Sequence, residues 1–187
     1  MIDILYQILE SKGFKVVYTD LHSRHPQLEA YTDFKRKRVV LDKSLLERPR
    51  QLKCVLAEET GHVLYPPPYN TISYHMAEYW DIDALGRSKV EWWHSKSERA
   101  AMLWATDFII PDRDFWAFTN SGSHELWEFA EHFEVEKWFI QAKIGFIRVK
   151  EREKGVKLKW MDIIRKTPMV AESRGHYGRP PKGGFGV

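Results

Sequence analysis

The chain has 187 residues, of which 43% are hydrophobic, and a formal net charge of only +3, so we expect one compact domain and see no indication of a polyanionic partner. Its apolar runs fall short of the ~20 residues that span a bilayer, and no charged-then-apolar signal segment opens it, which argues against a membrane or secreted protein. A single cysteine excludes an internal disulfide and fits the reducing cytosol, so we expect a cytoplasmic protein.

The N-terminal part of the chain predicts one helix followed by three strands. Residues 2–11 have apolar side chains at helical spacing and precede Gly13, a residue type that is common just past helix ends. Residues 14–18, 29–34 and 38–42 are rich in β-branched and aromatic side chains, as strands are. We expect these strands to form a small antiparallel sheet.

A second helix is predicted before the prolines of residues 66–68, which must end it. It carries Glu58, Glu59 and His62, which reproduce the helical zinc motif His-Glu-x-x-His with a glutamate in place of the first histidine. Glu58 and His62 share one helix face about 6 Å apart along the axis, so both can reach one cation. Glu59 is turned about 100° away, close enough to act as a base without being a ligand.

The same residues have a simpler interpretation. Paired glutamates and single histidines also occur on the solvated face of ordinary amphipathic helices. Gly61 removes a side chain at a point where another backbone or a substrate strand can approach. Cys54, one turn before Glu58, is too far along the helix to share a tetrahedral ion with both Glu58 and His62, and we expect it to be buried.

Residues 65–89 contain several prolines and predict a long, partly ordered loop, and loops of this length are often functional. His75 lies on this segment. It is a candidate to stabilise an oxyanion in a substrate, and the alternative is a histidine that faces water.

A third helix is predicted over residues 97–111, where Pro111 stops it. Ala101 and Ala105 on its apolar face would let another helix come close. Glu98 lies at its start, on a turn that continues toward the buried face, where a carboxylate needs a partner such as a metal ion. The alternative is a helix-start glutamate that the helix dipole favours.

His94 lies four residues before Glu98. If the helix begins that early, both side chains point the same way, and His94 is then an alternative ligand or a substrate contact. The simpler interpretation is an exposed histidine at the start of the helix.

Two further helices are predicted at residues 123–133 and 135–148, and their short turn resembles a helix-turn-helix. A DNA-binding module is therefore a rival interpretation. Against it, Trp138, Phe139 and Ile140 occupy positions where a DNA-reading helix has polar residues, and several glutamates on these helices would repel phosphate. We expect a packing lobe, without direct binding to nucleic acid.

The chain resembles the ImmA/IrrE family of metallopeptidases. Members carry Glu-x-Gly-His on a zincin-like helix and, on a later helix, Glu-x-x-Ala followed by alanine, two hydrophobic residues and proline. The matching residues here are Glu59-Thr60-Gly61-His62, then Glu98, Ala101, Ala105 and Ile109-Ile110-Pro111. The similarity runs from about Val39 to Phe146.

This resemblance implies a metal-dependent endopeptidase that cleaves a transcriptional repressor of the phage or mobile-element type. Carried over by residue, it implies Glu58, His62 and Glu98 as the metal ligands and Glu59 as the general base. Zinc is the implied metal, but a second carboxylate makes the site harder, so manganese and iron are alternatives. The competing hypothesis is a catalytically inactive relative that acts as a protein-interaction or DNA-binding regulator.

The expected fold class is α+β, with a small antiparallel sheet of about three strands packed on the zincin-like helix and a helical C-terminal lobe. The expected divisions are a peptidase core at residues 1–111, the lobe at 112–166, and a basic tail at 167–187. The tail is rich in glycine and proline and is expected to be disordered in isolation.

Overall fold

The computed structural model describes residues 1–67, 73–76, 89–122 and 124–154, and the side chains of residues 73–76 and 89–95 lie outside this description. The described elements, in chain order, are helix α1 (Ile2–Ser11), strands β1 (Lys15–Thr19), β2 (Leu28–Asp33) and β3 (Arg38–Asp42), a 3-10 helix (Lys43–Glu47), helix α2 (Pro49–Leu64), strand β4 (Ser73–Met76), and helices α3 (Lys89–Ile109), α4 (Asp112–Asn120), α5 (Leu126–His132) and α6 (Lys137–Glu153). The predicted α+β class is confirmed. The predicted tail at residues 167–187 lies outside the described residues.

The described strands form one sheet in the order β1-β3-β2-β4. β2 is antiparallel to both of its neighbours, β3 and β4, whereas β1 runs parallel to β3. The first three strands lie where the sequence predicted them, but the sheet is mixed rather than wholly antiparallel. The reason is that β3 lies between β1 and β2 in the sheet. The connection at residues 20–27 therefore crosses over the position of β3, and β1 pairs with β3 and not with β2.

β4 lies inside residues 65–89, which the sequence predicted to be loop throughout. That prediction is wrong at Ser73–Met76, where four residues pair with β2. A strand this short has little local signal, because its stability comes from cross-strand pairing and not from propensity.

Helices α1, α2 and α5 lie close to their predicted positions, α6 extends to Glu153 instead of residue 148, and α4 had no predicted bounds. One further difference bears on the site. α3 begins at Lys89 instead of residue 97. His94 therefore lies within this helix, one turn before Glu98. Among the described residues, no helix combines the length and the apolar character that crossing a bilayer requires.

The larger of two hydrophobic clusters among the described residues runs from α1 through the sheet to α6 and includes the fully buried Leu5, Leu41, Leu56, Met102 and Phe139. The C-terminal helices therefore pack on the same core as the sheet. In α6, Phe139 and Ile140 are completely buried. This face of α6 consequently contacts protein, which weighs against its use as a DNA-reading helix.

Asp42 connects the sheet to the segment that leads into α2. One of its carboxylate oxygens accepts hydrogen bonds from the backbone N–H groups of Leu21 and His22, at 2.7 and 3.2 Å. The other oxygen accepts from the N–H of Ser44 at 2.8 Å and caps the 3-10 helix. Burial alone would raise the pKa of this carboxyl, but these hydrogen bonds favour the charged form and lower its pKa to about 2.

We expect Asp42→Asn to lower the free energy of unfolding by about 2 kcal/mol at neutral pH. This value follows from the pKa of the Asp42 carboxyl, which is 3.8 in the unfolded chain and about 2 in the folded protein. A depressed folded-state pKa contributes stability above the unfolded value, and that stability is lost as the pH falls through the folded value. The difference between parent and variant in urea denaturation should therefore shrink between about pH 4 and pH 2. A difference that stays constant over this range would contradict the assignment.

Candidate metal centre

Helix α2 is the buried centre of the molecule and contacts α1, α3 and β2. The side chains of Glu58, Glu59 and His62 are 2%, 0% and 1% exposed. This burial excludes the alternative of a solvated helix edge. Buried carboxylates are costly unless they are hydrogen-bonded, ion-paired or bound to metal, so Glu58 and Glu59 require partners within the fold.

The two helices α2 and α3 pack unusually closely at Gly61. A Cβ atom built on Gly61 would lie 2.8 Å from the carbonyl carbon of Ala101 and 2.9 Å from its Cα atom. Ala101 and Ala105 are completely buried small residues. The predicted approach of another backbone to Gly61 is confirmed, and that backbone belongs to α3.

This close packing brings Glu98 of α3 to the two candidate ligands of α2. His62 Nε2 lies 3.3 Å from Glu98 Oε2 and 3.9 Å from Glu58 Oε1. One ligand atom from each of these residues lies within 4.8 Å of the other two. The structure thus brings together the same three residues that the sequence motifs nominated.

The geometry and the donor atoms suit a divalent metal ion. Two donors at about 2.1 Å from a tetrahedral ion lie roughly 3.4 Å apart. The 3.3 Å between His62 Nε2 and Glu98 Oε2 matches this value. Glu58 Oε1, at 3.9 Å from His62 Nε2, would have to lie closer for all three residues to bind one ion. Three protein ligands leave the fourth position open, as in catalytic zinc sites. Two carboxylate oxygens and one imidazole nitrogen do not by themselves select among zinc, manganese and iron.

The candidate centre has a buried side and a more open side. Glu58 and His62 are enclosed by α2 and its neighbours, whereas the side chain of Glu98 is 28% exposed. Glu98 is therefore the most solvent-accessible of the three candidate ligands.

Glu59 does not belong to the group of converging ligands. Its carboxylate instead accepts a hydrogen bond from the hydroxyl of Thr32 on β2. Both residues are completely buried. Sequence reasoning missed Thr32, because it is an ordinary strand residue 27 positions before Glu59 and no local pattern indicates the contact.

The remaining candidates do not add a ligand within the part of the chain that is described. His94 lies on α3, and His75 lies on β4 opposite Ala30 of β2, but the side chains of both histidines are outside the described residues. Cys54 is completely buried, as predicted. Burial raises the pKa of its thiol to about 12, and its Sγ accepts a hydrogen bond from the backbone N–H of Glu136 at 3.4 Å.

Comparisons of this chain with protein-family models, curated proteins and solved structures found no match. The interpretation of the site accordingly depends on its own residues and on the two motifs in α2 and α3.

Proposed function

We propose that this protein is a cytoplasmic, metal-dependent endopeptidase of the ImmA/IrrE type, and that its substrate is a transcriptional repressor of the phage or mobile-element type. The observation that supports the proposal is the convergence of Glu58, His62 and Glu98 beside a buried Glu59. Glu59, His62 and Glu98 occur in the order of the two family motifs, whereas Glu58 departs from the pattern.

Each residue has a role in this reaction. Glu58 and His62 on successive turns of α2, with Glu98 on α3, would hold the ion. A divalent ion bound there lowers the pKa of its water and polarises a peptide carbonyl. Glu59 accepts the proton of the attacking water and returns it to the leaving amine.

In this proposal the substrate chain would bind at the edge of the sheet. β4 is at the edge of the described sheet and contacts α2. A peptide that paired with this edge as an additional strand would run along the helix that carries the ligands. Main-chain hydrogen bonds would then hold the scissile bond in an extended conformation.

The alternative function is an inactive relative that regulates by binding protein or DNA. Glu58 is the observation in its favour, because it stands where the helical zinc motif His-Glu-x-x-His has its first histidine. A protein of this kind has no requirement for bound metal or for the Glu59 carboxylate.

The test is metal content after purification without added metal, measured by plasma mass spectrometry. We expect about one divalent ion per chain, a large loss in His62→Ala and Glu98→Ala, and no loss in His132→Ala, which removes an exposed histidine as a matched control. A parent protein without metal, even after incubation with zinc, manganese and iron, would favour the inactive relative.

Glu59→Gln separates catalysis from metal binding. It should retain the ion and lower cleavage of repressors encoded beside the gene by about 10²- to 10⁴-fold, because the amide cannot accept the proton. Cleavage is followed by gel electrophoresis and mass spectrometry. Full cleavage by Glu59→Gln would show that Glu59 is not the base.

A further inference from the structure

The hydrogen bond from Thr32 to Glu59 crosses between the sheet and the metal-site helix. The Thr32 hydroxyl donates to Glu59 Oε2, and both side chains are completely buried. Thr32 lies on β2, an inner strand of the described sheet, and pairs with Val39 of β3 on one side and Ser73 of β4 on the other. Since a β-branched side chain has restricted χ1 freedom, the sheet fixes the position of this hydroxyl.

The direction of the Glu59 carboxylate matters because Glu59 is the immediate neighbour of Glu58. A long carboxylate side chain beside a divalent ion with an open position is itself a good ligand. If Glu59 occupied that position, the site would lose both its place for water and its base. The ligand atoms that converge in the structure come from Glu58, His62 and Glu98, and Glu59 is held at the sheet instead.

We propose that Thr32 is a positioning residue, which holds the Glu59 carboxylate toward β2 and keeps it from becoming a fourth metal ligand. This inference rests on the proposed metal-dependent function. In this role Thr32 would act through Glu59 and not by direct contact with the ion or the substrate. A purely structural role for the same hydrogen bond would be to satisfy a buried carboxylate, and loss of stability alone would not distinguish the two roles.

The experiment uses Co²⁺ as the probe, because its visible absorption bands weaken when the number of ligands rises from four to five or six. The variants are Thr32→Val, which keeps the shape and removes the hydroxyl, and Thr32→Ser, which keeps the hydroxyl. Each variant is made in the full chain, once with the native Glu59 and once combined with Glu59→Gln. Thr32→Ala also lacks the hydroxyl and takes the place of Thr32→Val if the valine variant does not fold.

We expect Thr32→Ser to give the parent Co²⁺ spectrum and Thr32→Val to give weaker bands and tighter Co²⁺ binding, because the released Glu59 becomes a ligand. In the Glu59→Gln background, Thr32→Val should have no effect on the spectrum. Peptidase activity should follow the same pattern, with kcat lowered about 10- to 100-fold in Thr32→Val and restored in Thr32→Ser.

Two results would overturn the inference while leaving the metal site intact. One is a parent that binds Co²⁺ and a Thr32→Val variant with the same spectrum. The other is a spectral change that persists in the Glu59→Gln background, because it then does not act through Glu59. A parent that binds no Co²⁺ would overturn the proposed function together with this inference.

Discussion

Gly61→Ala should push α3 away from α2, which would lower the stability of the fold and weaken metal binding at the candidate centre. The added Cβ would lie within 3.0 Å of three backbone atoms of Ala101, its carbonyl oxygen, carbonyl carbon and Cα. Ala101 belongs to the middle of a long helix, so relief requires movement of the whole element rather than rotation of one side chain. Overpacking of this kind typically costs about 1–3 kcal/mol. The higher helix propensity of alanine offsets at most about 1 kcal/mol of this cost, so the net effect is a loss of stability.

The same movement displaces a candidate ligand. Glu98 is one turn before Ala101 on α3, and its oxygen lies 3.3 Å from His62 Nε2. Metal sites tolerate errors of only about 0.5 Å in ligand position, so we expect the affinity for a divalent ion to fall by about tenfold or more. Urea denaturation without metal measures the first effect, and isothermal titration with zinc or manganese measures the second.

Gly122→Ala is the matched control. A Cβ on Gly122 meets only the His124 ring at 3.8 Å, an ordinary contact. This variant should leave both stability and metal affinity near the parent values. If Gly61→Ala is as stable as Gly122→Ala and binds metal equally well, the close packing of α2 and α3 does not set the geometry of the site.

The features that the sequence predicted are those with a local signal. Four-residue spacing places Glu58 and His62 on one helix face whatever the tertiary structure is. The prolines of residues 66–68 end α2 because a proline ring removes the backbone N–H donor that a continuing helix needs. Gly61 and Ala101 indicated a close helix contact because glycine has no Cβ and alanine has only a methyl group, so another backbone can approach both.

The features that were missed depend on contacts between distant segments. The parallel pairing of β1 with β3 and the strand β4 are set by which segments meet in the sheet, and the residues themselves do not encode this locally. Thr32 belongs to the same class, since its partner is 27 residues away. Periodicity reports which face of an element is buried but not what that face contacts.

Lys143 illustrates the same limit outside the site. Lysine is ordinarily a surface residue, yet the side chain of Lys143 is completely buried. Its Nζ lies 2.6 Å from Asp107 Oδ1 and 2.5 Å from Asp112 Oδ1, which ties α6 to the end of α3 and the start of α4. Lys150 contacts the same two carboxylates. A buried charge is stable here only because its partners come from two other helices, and no local pattern in α6 indicates them.

Glu58→His should turn the candidate centre into a complete His-Glu-x-x-His site and shift its metal preference toward zinc. Glu58 is 2% exposed and Glu58 Oε1 lies 3.9 Å from His62 Nε2, so a side chain at this position is already directed at the other ligands. Two imidazoles and one carboxylate form a donor set that catalytic zinc sites use. Replacing a carboxylate oxygen by an imidazole nitrogen lowers the affinity for manganese, a harder ion, relative to zinc.

We expect the ratio of zinc to manganese affinity to rise by about tenfold or more, equivalent to about 1.4 kcal/mol, in competition titrations of the two metals. Glu58→Gln is the control, because it removes the charge without supplying an imidazole. It should weaken the binding of both ions and leave their ratio close to that of the parent. If Glu58→His and the parent have the same ratio, Glu58 is not a ligand, and His94 on α3 becomes the first residue to substitute in search of the third donor.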